Sequence, residues 1–212
     1  MMAVTLAALV ARLQAQVPAK NSIPAAADYS QHVQDAVLQL SQDAPMRKYG
    51  TLSVVSGTAD YALPSDFLFM IDLPTLGTED GVMVNASGII PLPSSWWAED
   101  ITIAGDTLTI TPTPTYTLER SYRYAARHVL TGSTGSETYA VLNENAARVA
   151  LLYAQHLALS QQAVSVAGSA WKYSIGDESV DKSQQASGYK SAAEVALAGY
   201  RRAVAAHKGY GQ

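Results

Sequence analysis

The chain has 212 residues, of which 48% are hydrophobic and only 15% charged. That length can bury a sizeable core, in one domain with an insertion or in two small domains, and the balance is the reverse of a disordered chain. The net charge of −4 and the lack of a long basic run argue against a groove that grips a phosphate backbone, and the absence of cysteine excludes disulfides, thiolate metal sites and thiol nucleophiles.

The first residues, 1–17, are apolar, yet no positive segment precedes Val4 and Arg12 interrupts the run, so a signal peptide is not expected. No stretch reaches the roughly 18 to 20 apolar residues that a membrane span needs. Leu6, Leu9, Val10, Leu13 and Val17 recur at helical spacing and predict a first amphipathic helix, which Pro18 and residues 21–24 end. Tyr29, Val33, Ala36, Val37 and Leu40 trace the face of a second helix, stopped at Pro45.

From Thr51 the period changes. Residues 52–55, 61–63 and 67–73 read as strands, with turns at 57–60 and at Pro64-Ser65-Asp66. Residues 82–84 and 88–92 suit a hairpin. Residues 101–103 and 108–110 suit another, folded at Gly105-Asp106. Between 117 and 125 the residues alternate, with Leu118, Arg120, Tyr122 and Tyr124 on one face and Glu119, Ser121 and Arg123 on the other. Together these strands predict a small antiparallel sandwich or barrel.

Residues 130–136 read as a flexible loop. A long helix follows, with Leu142, Ala146, Val149, Tyr153, His156, Leu157 and Ser160 on one face. Ala147, Ala150, Ala154 and Ala158 form a second, smooth face, and Gly168 breaks the pattern. Residues 171–182 read as a short link. The last helix carries Tyr189, Ala193, Ala196, Tyr200, Val204 and His207, with Lys208-Gly209 as its stop signal. The fold class expected is α+β: a bundle of the N- and C-terminal helices with a small antiparallel β module inserted. The divisions are 1–49, 50–128 and 129–212.

Catalytic signatures are missing. No phosphate-binding loop, dinucleotide fingerprint, HExxH or GxSxG occurs. His32, His128, His156 and His207 lie far apart, so no metal or other cofactor is expected. Glu99-Asp100 beside Trp96-Trp97 invites a glycosidase or glycan-binding reading, but neighbouring strand residues point to opposite faces and cannot flank one bond. Tryptophans that plug the edge of the β module explain the segment better. Tyr116, Tyr122 and Tyr124 offer stacking surface, but the few basic residues near them, Arg120, Arg123 and Arg127, favour packing over nucleic-acid binding.

Two segments carry a resemblance. Residues 57–67, read as G-x-x-x-Y-x-L-P-x-D-F, follow the second helix, and 173–183, YSIGDESVDKS, lie between the last two. Each has a physical reading too. Asp66 caps a turn after Pro64 and Phe67 restarts the apolar run, while Ile175-Gly176-Asp177 turns and Asp181 or Ser183 caps the last helix. In these segments and in its order of elements, the chain resembles the head-to-tail adaptor proteins of tailed bacteriophages, also called connector or head-completion proteins. The resemblance implies a non-enzymatic virion protein of the neck, assembled in the host cytoplasm. It implies a ring of usually about twelve subunits under the portal, through which double-stranded DNA passes without specific binding. The partners implied are further copies of the chain, the portal, and a downstream stopper, tail-terminator or tail protein, with no membrane. A different tail or neck component, such as a tail-completion or tube-associated protein, is the alternative. On this reading Trp171, Tyr173, Lys190, Arg201, Arg202 and Tyr210 are expected to face the portal, and Leu76, Glu79, Asp80, Trp96 and Trp97 the tail.

Overall fold

The computed structural model describes residues 4–75, 82–85, 88–91, 100–168, 172–175, 178–181 and 183–209. The chain opens with β1 (Val4–Thr5), α1 (Leu6–Gln16) and α2 (Ala26–Asp43). The strands β2 (Met46–Val54), β3 (Asp60–Ala62), β4 (Phe67–Thr75), β5 (Val82–Asn85), β6 (Gly88–Pro91), β7 (Asp100–Ala104), β8 (Thr107–Thr111) and β9 (Leu118–Ala126) follow. Then come β10 (Leu130–Thr131), β11 (Thr138–Tyr139), α3 (Glu144–Gly168), β12 (Lys172–Ile175), β13 (Glu178–Asp181) and α4 (Ser183–Gly209). The class is α+β, in two compact units: residues 1–45 with 128–212, and residues 46–127.

The first unit has one core, to which all four helices contribute. Thr5 starts α1 by accepting the Ala8 amide at 3.1 Å, and Leu6, Leu9 and Leu13 are buried along one stripe. Each fully buried leucine contributes about 1.5–3 kcal/mol of apolar transfer. Every residue of the expected stripe on α2, from Tyr29 to Leu40, is buried. At its start Asp28 reaches back to the Ala25 amide at 2.9 Å. Between α1 and α2 the chain reverses at Asn21 and Ser22, both at positive φ, with Lys20 and Ile23 exchanging backbone hydrogen bonds. The Tyr29 hydroxyl donates to the Val17 carbonyl at 2.7 Å and holds the turn closed.

Asn143 starts α3, its side chain accepting the Ala146 amide at 2.7 Å. The alanine face expected of this helix is the deeply buried one; Tyr153, His156, Leu157 and Ser160 are only partly covered. Near the far end, Gln162 donates to the carbonyls of Pro18 and Ile23, and Gln161 bonds Asp28 and His32. On α4, Ala193, Ala196, Tyr200 and Val204 are buried as the spacing predicts.

Residues 130–136 are not simply a loop. Their first two form β10, which pairs with β11, and β11 pairs in turn with β1. Strands of two residues carry too short an alternation to reveal a period. The link expected at 171–182 contains the β12–β13 hairpin, with Tyr173 opposite Val180 and Ile175 opposite Glu178. The last helix begins at Ser183, and the cap position before it lies outside the described residues.

Among the described residues the second unit holds three antiparallel sheets, ordered β2-β9-β4, β3-β8-β7 and β5-β6. The two three-stranded sheets share a core of Leu52, Val54, Leu63, Leu108, Ile110, Tyr122, Tyr124 and Ala126. On β9 the burial alternates as expected. The β7–β8 hairpin turns at Gly105-Asp106, with the glycine at φ +60° in the first loop position. The first strand begins at Met46 rather than near Leu52, in unbroken register with β9 from Met46–Ala126 to Val54–Leu118. Gly50 explains that register. It pairs with Tyr122, whose ring lies where a Cβ on Gly50 would stand, 2.3 Å from Cζ.

Gly50→Ala is therefore expected to drive the Tyr122 ring off its site and to cost about 1–3 kcal/mol by overpacking, read as a lowered denaturation midpoint. Tyr139 gives a prediction of opposite sign. It is 3% exposed, and its hydroxyl has no hydrogen-bond partner among the described residues. Burial pushes its phenol up from 10.0 to about 12. Its contribution is complete below pH about 10, where folded and unfolded chains are both protonated, and is lost as pH rises toward about 12. Tyr139→Phe should be neutral or stabilising by about 1 kcal/mol at pH 7, since an unsatisfied group is removed. It should also flatten the loss of stability over that alkaline window in a pH series of denaturation curves.

Candidate functional site

The first family-like segment is a built device. Val55 and Thr58 face each other across a turn in which Gly57 sits at φ +82°. The Tyr61 hydroxyl closes this turn, donating to the Thr58 carbonyl at 2.7 Å and accepting the Val55 amide at 3.2 Å. Leu63 enters the core of the unit, and Pro64 accepts the Phe67 amide at 2.9 Å, so the chain turns over Ser65-Asp66. Asp66 does more than cap. Its carboxylate takes Lys48 Nζ at 2.5 Å and the Tyr124 hydroxyl at 3.2 Å, while its carbonyl accepts the Arg127 amide. Phe67 stacks on Tyr124 with centroids 5.9 Å apart. Burial, and then the Asp66 charge, push the Tyr124 phenol up to about 12. One short segment thus joins β2, β4 and β9.

The outer face of the β2-β9-β4 sheet is less covered. Tyr49 is 79% exposed and Phe69 53%, beside the exposed Arg123–Asp72 pair. Sequence reasoning gave no role to these aromatics. Exposed aromatic and arginine side chains together are the composition of interface anchors.

Of the residues expected to face a portal, Lys190, Arg201 and Arg202 lie exposed on α4 and Tyr173 lies on β12. Lys190 and Arg201 do not cluster; at 1.5 Å per residue they stand about 16 Å apart along the helix. Lys190 borders a shallow groove with Ala163, Val164 and Ala167 of α3 and Ala186 of α4. Arg201 borders a separate cleft between α2, α3 and α4. Trp171, Tyr210, Leu76, Glu79, Asp80, Trp96 and Trp97 lie outside the described residues.

The histidines have local partners: His32 meets Gln161, the His128 amide donates to Ser41, and His156 contacts the Ala193 carbonyl. The side chain of His207 lies outside the described residues. Among the described residues, no three His, Asp or Glu groups are placed to hold a metal ion. No helix among them is long and apolar enough to cross a membrane.

The geometry is that of a two-unit α+β protein whose distinctive segment braces a sheet and whose exposed features suit protein contacts. The sequence profile described as SU10 adaptor protein matches residues 4–206, nearly the whole chain, and the chain belongs to that phage head-tail adaptor family. No curated protein matches the chain.

The bracing role of Asp66 is measurable. In a double-mutant cycle, Lys48→Met and Asp66→Asn should couple by about 1–2 kcal/mol, because both groups are largely covered. The exposed Arg123–Asp72 pair should couple by less than about 1 kcal/mol.

Proposed function

We propose that this chain is a non-enzymatic structural subunit of a phage virion. Its copies form a ring, of about twelve subunits, that joins the capsid portal to the tail and lines the channel through which DNA leaves. Membership of the adaptor family over residues 4–206 is the observation that carries this reading. The four helices form the bundle of the subunit, and residues 46–127 form its inserted module. Low charge suits surface that is buried between subunits, and the net charge of −4 suits a lumen that DNA must leave freely. The exposed Val164 and Val195, at 74% and 72%, and Leu38, at 53%, provide apolar contact area on the helices.

On this reading the α4 side, with Lys190, Arg201, Arg202, Tyr173, Trp171 and Tyr210, meets the portal. The module, with Leu76, Glu79, Asp80, Trp96 and Trp97, meets the stopper, tail terminator or tail. The protein resides in the virion neck after assembly in the host cytoplasm.

Quantitative mass spectrometry of purified virions, with this chain counted against the major capsid protein, tests the proposal. The expected result is about a dozen copies per particle. A copy number matching a tail tube would point instead to another tail component. Absence from the particle would overturn the structural reading.

A further inference from the structure

The cleft bordered by Arg201 has a volume of about 430 Å³ and is lined by Gln39, Asp43, Tyr153, His156 and Tyr200 among others. Its lining includes one carboxylate, with one oxygen engaged. Asp43 Oδ2 accepts the Tyr200 hydroxyl at 2.6 Å and Gln39 Nε2 at 3.1 Å. Tyr200 is buried, and burial, together with its bond to Asp43, keeps its phenol protonated far above the usual range.

The other oxygen, Oδ1, accepts no hydrogen bond among the described residues, and Asp43 has no ion pair among them. Two aromatic rings stand in the same cleft. Tyr153 and Tyr200 have centroids 5.0 Å apart and planes inclined at 55°. His156 also lines the cleft. Its Nδ1 lies 3.0 Å from the Ala193 carbonyl, which can only accept, so Nδ1 donates there.

We propose that this cleft receives an arginine side chain from another polypeptide, its guanidinium donating to Asp43 Oδ1 and packing on the partly exposed Tyr153 ring. A carboxylate oxygen repels an anion and penalises an apolar occupant that leaves it unpaired. The Tyr153 face attracts a cation, and a planar guanidinium uses both carboxylate and ring where an ammonium is a point charge. Arg201 stands exposed at the same cleft without pairing with Asp43. It opposes the incoming charge, an effect that solvent weakens. The proposal rests on this geometry and is independent of any ring or portal.

The test titrates the full-length chain with N-acetylarginine amide, and with the uncharged isostere N-acetylcitrulline amide, followed by NMR of the Tyr153, Tyr200 and His156 ring signals. Saturable shifts with arginine are expected, with a dissociation constant in the millimolar range of about 1 mM or weaker. Citrulline should give none. Asp43→Asn keeps an oxygen for Tyr200 and should weaken arginine binding about tenfold. Arg201→Gln should strengthen it. Equal responses to the two amides, no response, or weaker binding in Arg201→Gln would each overturn the proposal. Sedimentation velocity then assigns the donor. Self-association that arginine amide disperses and Asp43→Asn abolishes places the arginine on a second copy. Without it, and with binding intact, the arginine belongs to a different protein.

Discussion

Helix α3 packs against α1, α2 and α4, and it does so with alanine. Ala147, Ala150, Ala154 and Ala158 are at most 2% exposed, with Val149 and Leu151 buried at the edges of the same surface. Where three helices approach one, volume on the central helix is the scarce quantity, and a methyl group lets the neighbours supply the bulk. Leu9 and Leu13 of α1, Val33, Val37 and Leu40 of α2, and Tyr200 and Val204 of α4 supply it. Alanine gives little burial per residue, but it keeps helix propensity at its highest. The polar ends of α3 complete the arrangement, Asn143 capping one end and Gln161 and Gln162 reaching the α1–α2 turn near the other.

The second unit follows a different rule. Its contacts are pinned by a few residues: Tyr122 over Gly50, Tyr61 inside its turn, and Asp66, whose carboxylate takes Lys48 and Tyr124 and whose carbonyl takes the Arg127 amide. The family-like G-x-x-x-Y-x-L-P-x-D-F segment is therefore legible as structure before it is legible as kinship. Glycine is needed for positive φ, tyrosine for the turn, proline and aspartate for the corner, and phenylalanine for the stack.

Long periodic elements could be read from the sequence because burial imposes a period on them. The stripes of α1, α2 and α4, the alternation on β9 and the glycine of the β7–β8 hairpin all declare themselves in this way. The start of β2 does not, because Met46, Arg47, Lys48, Tyr49 and Gly50 show no apolar alternation; their register depends on Tyr122, far along the chain. The two-residue strands β1, β10 and β11 are below the length at which a period exists. The Asp43 cleft was illegible for another reason. Asp43 and Tyr200 are 157 residues apart, and neither sits in a recognisable motif. Family membership was legible from short segments, whereas the interface residues could be named only by exposure and type.

The chain passes between its two units at Pro45–Met46 and at Arg127–His128. These links leave the second unit side by side, because Met46 pairs with Ala126 at the end of the β2–β9 ladder. Tension across them pulls two antiparallel strands from the same end and in the same direction. The hydrogen bonds between those strands then carry little shear, and the pull runs along the two strands together, on the pairing whose register is unbroken, while the bulged β9–β4 pairing stands outside that direct path.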